Sequence, residues 1–491
     1  MKPLLIRADA GGQIGTGHVM RMIALAQAYQ RRGGRVIIAT STCPEAVAQR
    51  VTDLGIEHQA FISDQPGSQA DAAETLSLAN SLGIAWLVLD GYHFSLSSQQ
   101  FFKDAPFQIL VTDDHGYSDR WCCDALLNQN LDSDLSPHGS HELADPQLLL
   151  GSSFTLLREE FLSQPVAPRN WSSLKKILIS MGGADPHNAT QAVLDLLDQS
   201  DAAPLNIRIL AGAANPHLDQ LRAHTSDHHI EIVVNAQDMP DQLAWADGII
   251  SAGGSTCWEW LHAGLPGAIV TIAENQIPIV HALTESRKAA LALGWPHDFS
   301  SPTDLSAWLA DPNSVIQKND AQGIIDGRGA DRVACLLDAS RCLIRPTHPI
   351  KDLEFTFSLV NHPSVRSAGY STDPITPDTH RAWLERHCSS PESHLFVAET
   401  LERKEIGLLR FHLNESAWEI GIALTPESRG HGFADHIVNL GMRELASRHQ
   451  ISQFVAIIKP TNSASKNLFK RLKFNHQGTD GDRETWTIEL S

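Results

Sequence analysis

The stretch Arg7 to His18, RADAGGQIGTGH, sets four glycines (Gly11, Gly12, Gly15 and Gly17) directly ahead of a histidine. Glycine tolerates φ > 0 and has no side chain to obstruct a ligand, so such a loop lets backbone N–H groups close on an anion. A helix opening at the end of the loop faces the same anion with roughly half a positive charge. Imidazole changes charge near neutrality, so a histidine in that first turn suits proton chemistry beside a phosphate-bearing substrate. The spacing is neither G-x-G-x-x-G nor the Gly-Lys-Ser/Thr ending of a P-loop, which removes support for both of those activities. A tight connection with a capping histidine is the other reading of these residues.

Two further glycine clusters follow. Residues 252–276 read AGGSTCWEWLHAGLPGAIVTIAENQ. Gly253, Gly254, Ser255 and Thr256 would offer backbone and hydroxyl donors at a helix start, and Glu259 one turn on is a carboxylate able to accept from two hydroxyls. Glu259 as a solvated helix residue is the plainer alternative. Near the C-terminus, the strand-like run Trp418 to Leu424 precedes Arg429-Gly430-His431-Gly432-Phe433-Ala434, a third anion-type loop with an arginine.

The elements that must carry these loops are legible from periodicity. Leu4–Ile6, Val36–Ile38, Trp86–Leu89 and Gln108–Val111 read as buried strands, with a helix carrying Val19, Met22, Ile23, Ala26 and Tyr29 after the first. Polar residues collect behind two of the strands, as Asp90-Gly91-Tyr92-His93 and Thr112-Asp113-Asp114-His115. Open α/β sheets bind ligands at such strand ends, although ordinary loop caps look the same. A second set of strands begins near Asn170: Lys176–Ser180 leading into Met181-Gly182-Gly183, then Ile207–Leu210, Ile230–Val234, Gly248–Ser251 and Ala268–Ile272. Asp185 to Asn188 read as a helix cap. The expectation is two tandem doubly wound Rossmann-like domains, residues 1–165 and 166–335, with a ligand in the cleft between them. A connector without periodicity, 336–352, leads to an α+β domain at 353–491, with strands near Phe396–Ala398, Ile406–Phe411, Glu419–Leu424 and Phe454–Ile458.

Bulk properties narrow the class. The chain has 491 residues, 42% hydrophobic and 19% charged, as expected of several packed domains. A formal net charge of −19 argues against non-specific nucleic-acid binding, yet leaves room for a local anion site. Seven scattered cysteines, with the adjacent pair Cys122-Cys123 lacking metal spacing, fit reduced thiols and no metal. No signal-peptide core and no run of 18 apolar residues occurs, so a cytoplasmic protein without membrane attachment is expected.

The 252–276 stretch resembles the nucleotide-sugar site of GT-B glycosyltransferases, notably the peptidoglycan GlcNAc transferase. That resemblance implies that Gly253, Gly254, Ser255 and Thr256 lie under a diphosphate and that Glu259 holds ribose hydroxyls. Together with RADAGGQIGTGH, the first 335 or so residues resemble the UDP-2,4-diacetamido-2,4,6-trideoxy-β-L-altropyranose hydrolases of pseudaminic acid biosynthesis. The matching positions are the IGTGH loop with Gly15, Gly17 and His18, LDGY ending in Tyr92, MGG with Gly183 and Asp185, AGGSTCWE, and ENQ with Asn275 and Gln276. The resemblance implies metal-free release of UDP by attack of water at the anomeric carbon with inversion. His18 would orient or deprotonate the water, with Asn275 and Tyr92 assisting near the sugar. His18 as a phosphate ligand, and Tyr92 as a packing residue, are the alternatives.

Leu424, Arg429, Gly430, Gly432 and Ala434 resemble the acetyl-CoA loop of GNAT N-acetyltransferases. Asn462-Ser463-Ala464-Ser465 with Leu468-Phe469 and Leu472-Lys473-Phe474 is similar to the second GNAT segment. Where that family commonly has a tyrosine as general acid, this chain has Phe469, so the leaving thiolate must take its proton elsewhere. Glu419 is the candidate to relay the proton of the amine, or else a structural strand residue. The segment Asn361–Trp383, with Arg366, Ile375, His380 and Trp383, is similar to the GNAT enzymes that acetylate the 4-amino group of a UDP-linked altrosamine sugar. The combined expectation is a bifunctional enzyme taking a UDP-linked amino sugar and acetyl-CoA. A GT-B glycosyltransferase fused to an acetyltransferase is the alternative, and a non-catalytic nucleotide-sugar sensor is a third reading.

Overall fold

Continuous Val/Ile/Leu runs suit strands covered on both faces, and two such parallel sheets make up most of the chain. The computed structural model describes all residues except 12–14, 64, 115–119, 134–139, 142–145, 163–170, 184, 213–214, 237, 300, 317–320, 322, 415–416 and 490–491. Gly12, His115 and Asn170 of the sequence reading therefore lie outside the described residues. The chain forms two compact units, Lys2–Ala28 with Arg35–Val333, and Ala334–Ser491 with Met1 and Tyr29–Gly34.

The larger unit contains both parallel sheets. The first has the order Glu57–Ala60, Val36–Thr40, Leu4–Ala8, Trp86–Asp90, Gln108–Thr112, Ala125–Asn128, Gln147–Leu150. Strand order reverses between Leu4–Ala8 and Trp86–Asp90, which pair in parallel from Leu4 opposite Trp86 to Ala8 opposite Asp90. The second sheet has the order His229–Val234, Asn206–Ala211, Lys176–Ser180, Gly248–Ala252, Gly267–Val270, Ala290–Gly294. Its reversal lies between Lys176–Ser180 and Gly248–Ala252, with Ser180 opposite Ser251. Crevices at such reversals are the ligand sites of doubly wound sheets. The histidine loop thus sits at one reversal, and both Gly182-Gly183 and Gly253-Gly254 at the other. No helix among the described residues is long and apolar enough to cross a membrane.

The third sheet has the order Cys342–Pro346, Ser393–Thr400, Glu405–Asn414, Ala417–Leu424, Gln453–Ile458, Arg483–Glu489, Asn475–Asp480. Phe396, Phe411, Trp418, Ile420, Phe454 and Ala456 pack one face against Ile437, Val438 and Leu445 of the helix Phe433–Ala446. The expected connector 336–352 needs correction. Cys342–Pro346 within it pairs antiparallel with Ser393–Thr400 as the edge of this sheet. Its Arg-Pro ending hides an edge strand, where proline is tolerated because no ladder bond is lost there. The last two strands, Asn475–Asp480 and Arg483–Glu489, were absent from the sequence reading because polar residues dominate the hairpin.

Candidate functional site

The base of the histidine loop is pinned by charge. Buried Asp9 accepts from the backbone N–H groups of Ser41 and Thr42 at 2.7 and 2.9 Å and pairs with Arg7 at 2.7 Å. Arg7 also holds Asp71 at 2.8 Å. Gly11 and Gly15 exchange backbone hydrogen bonds of 3.0 and 2.7 Å just ahead of the helix Gly17–Arg31. Gly15 has φ +75°, and a Cβ at Gly15 or Gly17 would meet no atom within 4 Å.

His18 lies one residue into that helix, 7% exposed. Its Nδ1 is 2.8 Å from Oδ1 of Asp90, which is fully buried at the end of its strand. A carboxylate only accepts, so Nδ1 carries the hydrogen and the neutral ring keeps its lone pair on Nε2. Nε2 makes no hydrogen bond to another described residue.

Asp90 also accepts from Thr112 Oγ1 at 2.6 Å and from Arg21 Nε at 2.6 Å, with Arg21 Nη2 closing on its other oxygen. Arg21 Nη1 reaches Asp114 at 2.6 Å, and the Tyr92 hydroxyl donates to the second Asp114 oxygen at 3.0 Å. The His18 and Tyr92 rings meet edge to face at 5.0 Å. Arg21 Nη2 lies 3.1 Å from His18 Nδ1; both are donors, so they are joined through the shared Asp90 oxygen rather than to each other.

Electrostatics follow from this geometry. Burial pushes the Asp90 carboxyl up, but Arg21 and His18 outweigh it and hold the group well below the usual carboxylate range. Burial, with the Asp114 charge beside it, pushes the Tyr92 phenol well above its ordinary value. Tyr92 is therefore a donor throughout the physiological range. Burial opposes the Arg21 cation, but Asp114 and Asp90 outweigh it and keep Arg21 charged. The sequence reading found His18 and Tyr92 and marked Asp90 and Asp114 as strand-end polar residues. It missed Arg21, three residues after His18 and so on the same helix face, which is the one signal it offered.

At the second reversal, a Cβ on Gly253 would strike Val280 at 2.6 Å, whereas one on Gly254 would meet nothing within 4 Å. Ser255 and Thr256 open the short helix Thr256–His262, and the Ser255 side chain makes no capping hydrogen bond. Glu259, in this helix, has Oε1 3.2 Å from Nη2 of Arg158. Arg158 pairs with Glu160 at 3.1 Å, and Glu160 with Arg50 of the first sheet's helix Glu45–Asp53 at 2.9 Å. Burial raises the Glu259 carboxyl above its ordinary value despite Arg158. One Glu259 oxygen is thus tied to an arginine.

Three further residues fall differently. Asn275 is exposed in the turn Glu274–Gln276 at the end of Gly267–Val270. Gln276 accepts from the Ile272 N–H at 3.1 Å and so braces that turn. The Gly183 carbonyl accepts from the Gly212 N–H at 3.0 Å, in a backbone approach that leaves no room for a side chain on Gly212. Asp185, 2% exposed, accepts from the Ala189 and Thr190 N–H groups at 2.8 and 3.0 Å. The protein's own carboxylate therefore occupies that helix start.

In the smaller unit, Ala417–Leu424 and Gln453–Ile458 run parallel but pair only at Trp418 with Phe454 and Glu419 with Val455. Among the described residues, the pairing with Gln453–Ile458 does not continue from Ile420 to Leu424. Gly430 and Gly432 both have φ +81°, and a Cβ on either would meet nothing within 4 Å. Gly432 is the N-cap of Phe433–Ala446, with Ala434 in the first turn, so no side chain of the cap covers these amides. Arg429 folds onto the Leu424 carbonyl at 3.0 and 3.2 Å. Asn462 caps Ser463–Arg471 through the Ser465 N–H at 3.1 Å. Phe469 is 3% exposed and packs edge to face on Phe474, 4.9 Å between ring centroids. The Glu419 carboxylate, where that pairing ends, accepts from Asn414 Nδ2 at 2.7 Å.

Known proteins match parts of the chain. UDP-2,4-diacetamido-2,4,6-trideoxy-beta-L-altropyranose hydrolase of Campylobacter jejuni is 23% identical over 254 residues, 51% of this chain and 85% of that protein. Spore coat polysaccharide biosynthesis protein SpsG of Bacillus subtilis is 24% identical over 343 residues, 68% of this chain and 96% of that protein. An uncharacterized protein of Methanocaldococcus jannaschii is 22% identical over 282 residues, and the chain spans 56% of its length. Among solved structures, spermidine N-acetyltransferase from Vibrio cholerae is 21% identical, with a TM-score of 0.29, covering 30% of this chain and 96% of that one. Residues 177–310 match the glycosyltransferase family 28 C-terminal domain and residues 341–475 the acetyltransferase (GNAT) domain, so the chain joins a segment similar to the first to a C-terminal segment similar to the second.

Proposed function

We propose that the larger unit hydrolyses a UDP-linked diacetamido-trideoxy sugar and that the GNAT module N-acetylates the 4-amino group of its precursor with acetyl-CoA. The observation that carries the first half is the His18–Asp90 pair at the first sheet's reversal, with Nε2 left as a base. Water gives a proton to Nε2 while its oxygen bonds to the anomeric carbon, and the bond from that carbon to the UDP oxygen breaks on the opposite face. The configuration inverts. General-base assistance of this kind is worth on the order of 10²–10⁴-fold. The departing diphosphate needs donors for its charge, and the Gly253–Thr256 loop supplies them, with Glu259 taking ribose hydroxyls. Tyr92 and Asn275 are assigned to the sugar, and Gly15 and Gly17 to the space around it. The name of the Campylobacter relative supports this choice of sugar, and the resemblance of the motifs is what suggests pseudaminic acid biosynthesis.

The GNAT match supports acetyl-CoA as acyl donor. Gly430, Gly432 and Ala434 leave amides open for a pyrophosphate, Arg429 adds charge, and Leu424 ends the unpaired strand edge along which an extended pantetheine would lie. Fusing consecutive steps raises the local concentration of a scarce intermediate. The reading assigns both steps to the cytoplasm.

NMR of the full chain with the UDP-linked 4-amino sugar and acetyl-CoA tests both steps at once. Acetylation followed by UDP release without any acceptor, with inverted anomeric configuration, is expected. UDP release only after adding an acceptor would replace the hydrolase with a glycosyltransferase, the reading favoured by the family 28 match.

A further inference from the structure

The face of the third sheet opposite its main core carries a row of titratable side chains that acetyl transfer, as proposed above, leaves unassigned. His412 stands directly opposite Glu419 in the antiparallel register, and such pairs hold their Cβ atoms about 4.5–5.5 Å apart. His412 Nδ1 lies 3.0 Å from Ser393 Oγ, the residue opposite it on the other neighbouring strand. The His387 ring, on the helix Pro377–Ser389, is 6.1 Å from that of His412, centroid to centroid. His387 Nδ1 is 2.8 Å from the Trp383 carbonyl, which only accepts, so its hydrogen is on Nδ1 and Nε2 is the open acceptor.

We propose that His412 and His387 form a proton relay leading from Glu419 to solvent, which takes up the proton that an acceptor ammonium must lose before it attacks the thioester. This rests on the acetyl-transfer reading of the GNAT module. The ammonium gives one proton to the Glu419 carboxylate, and from there it passes to His412 Nε2 and, through a water, to His387 Nε2 and bulk solvent. The freed nitrogen lone pair bonds to the thioester carbon and the C–S bond breaks. The nitrogen loses a second proton as the amide forms, and the thiolate takes one from water because Phe469 has none to give. The sum is ammonium plus acetyl thioester to amide, thiol and one released proton.

The surroundings keep the His387 ring neutral and ready to pass a proton on. Burial lowers the His387 imidazole below its ordinary value, and Arg386 on its own helix with His412 and Arg410 on the facing strand act the same way, against the bond to Trp383. Neutral imidazoles with free Nε2 atoms are what a relay requires. Glu419 and Asn414 face His412 from the strand ends, and Ser393 from the opposite side.

The test is the pH profile of kcat/KM for the full chain with acetyl-CoA and a UDP-linked 4-amino-trideoxy sugar, together with calorimetric binding of acetyl-CoA. His412→Gln is expected to lose about 10²-fold at pH 7 and to recover to within about tenfold at pH 9.5, where the amine is already neutral. His387→Gln should lose about tenfold with the same recovery, and both should bind acetyl-CoA as the parent does. Variants that follow the parent profile across the whole range overturn the relay. If the parent leaves that sugar unacetylated, the sugar assignment falls, and NMR titration of the imidazoles decides the relay instead. His412→Gln should then raise the His387 midpoint, because the neighbouring ring that lowers it is gone. An unmoved midpoint overturns it.

Discussion

His18 and Asp90 are 72 residues apart in the chain and 2.8 Å apart in space, joined because the strand Leu4–Ala8 that precedes the His18 helix lies beside the strand that ends in Asp90. The carboxylate sets the imidazole tautomer and stabilises the ring once it takes a proton.

Asp90→Asn should therefore remove most of the UDP-releasing activity. The amide cannot accept from His18 and Arg21 as a charge does, and an Nδ2 facing His18 would favour the wrong tautomer. A fall of about 10²–10⁴-fold in kcat, with little change in KM, is expected from steady-state UDP release.

The same pair predicts an acid limb of stability. The Asp90 carboxyl is depressed in the folded chain, so its stabilisation is complete above the unfolded carboxyl value of about 4 and is lost as pH falls below it. Thermal unfolding between pH 5 and pH 3 should lose stability more steeply in the parent than in Asp90→Asn. Parallel curves would assign the acid sensitivity elsewhere.

Glu259→Gln should weaken UDP binding by about tenfold or more, since a charged acceptor for hydroxyls is worth roughly 1.5–3 kcal/mol. Calorimetry with UDP measures this directly, and uridine should show a similar loss because it has the same ribose.

Phe469→Tyr should raise the kcat of acetyl transfer by about tenfold or more by giving the thiolate an internal acid. The new hydroxyl enters a core of Phe474 and its neighbours, so a stability loss of about 1–3 kcal/mol is expected as well. Thiol release assays and a melting curve on the same variant read both effects.

Lys473→Gly should stabilise the smaller unit by about 1 kcal/mol. Lys473 follows the helix Ser463–Arg471 with φ +65°, while the Phe474 N–H closes on the Phe469 carbonyl at 2.9 Å. Glycine adopts this left-handed turn without the Cβ strain that lysine bears.

Local chemistry was readable from the sequence wherever one segment supplied it. The histidine loop, the Gly253–Glu259 run and the Arg429–Ala434 loop all lie at the strand ends expected of them, because glycine spacing and apolar runs are short-range signals. What the sequence could not show was pairing at a distance. Nothing near Arg21 announces that it bridges Asp90 and Asp114, which come from two other strands. Asp185 read as a cap of the next helix, and its bonds to Ala189 and Thr190 are those of a cap. Cys342–Pro346 read as a connector because five residues ending in Arg-Pro carry little periodicity, and its partner strand lies 50 residues on.

The row Arg50, Glu160, Arg158, Glu259 alternates in sign and runs from a helix of the first sheet to a helix of the second. It acts as an ionic tether whose grip slackens as salt shortens the reach of each charge. Hydroxyls arriving at Glu259 would draw the carboxylate off its arginine and turn Arg158 toward the negative charge of the same ligand. The nucleotide would then loosen one link of the tether while becoming a link itself.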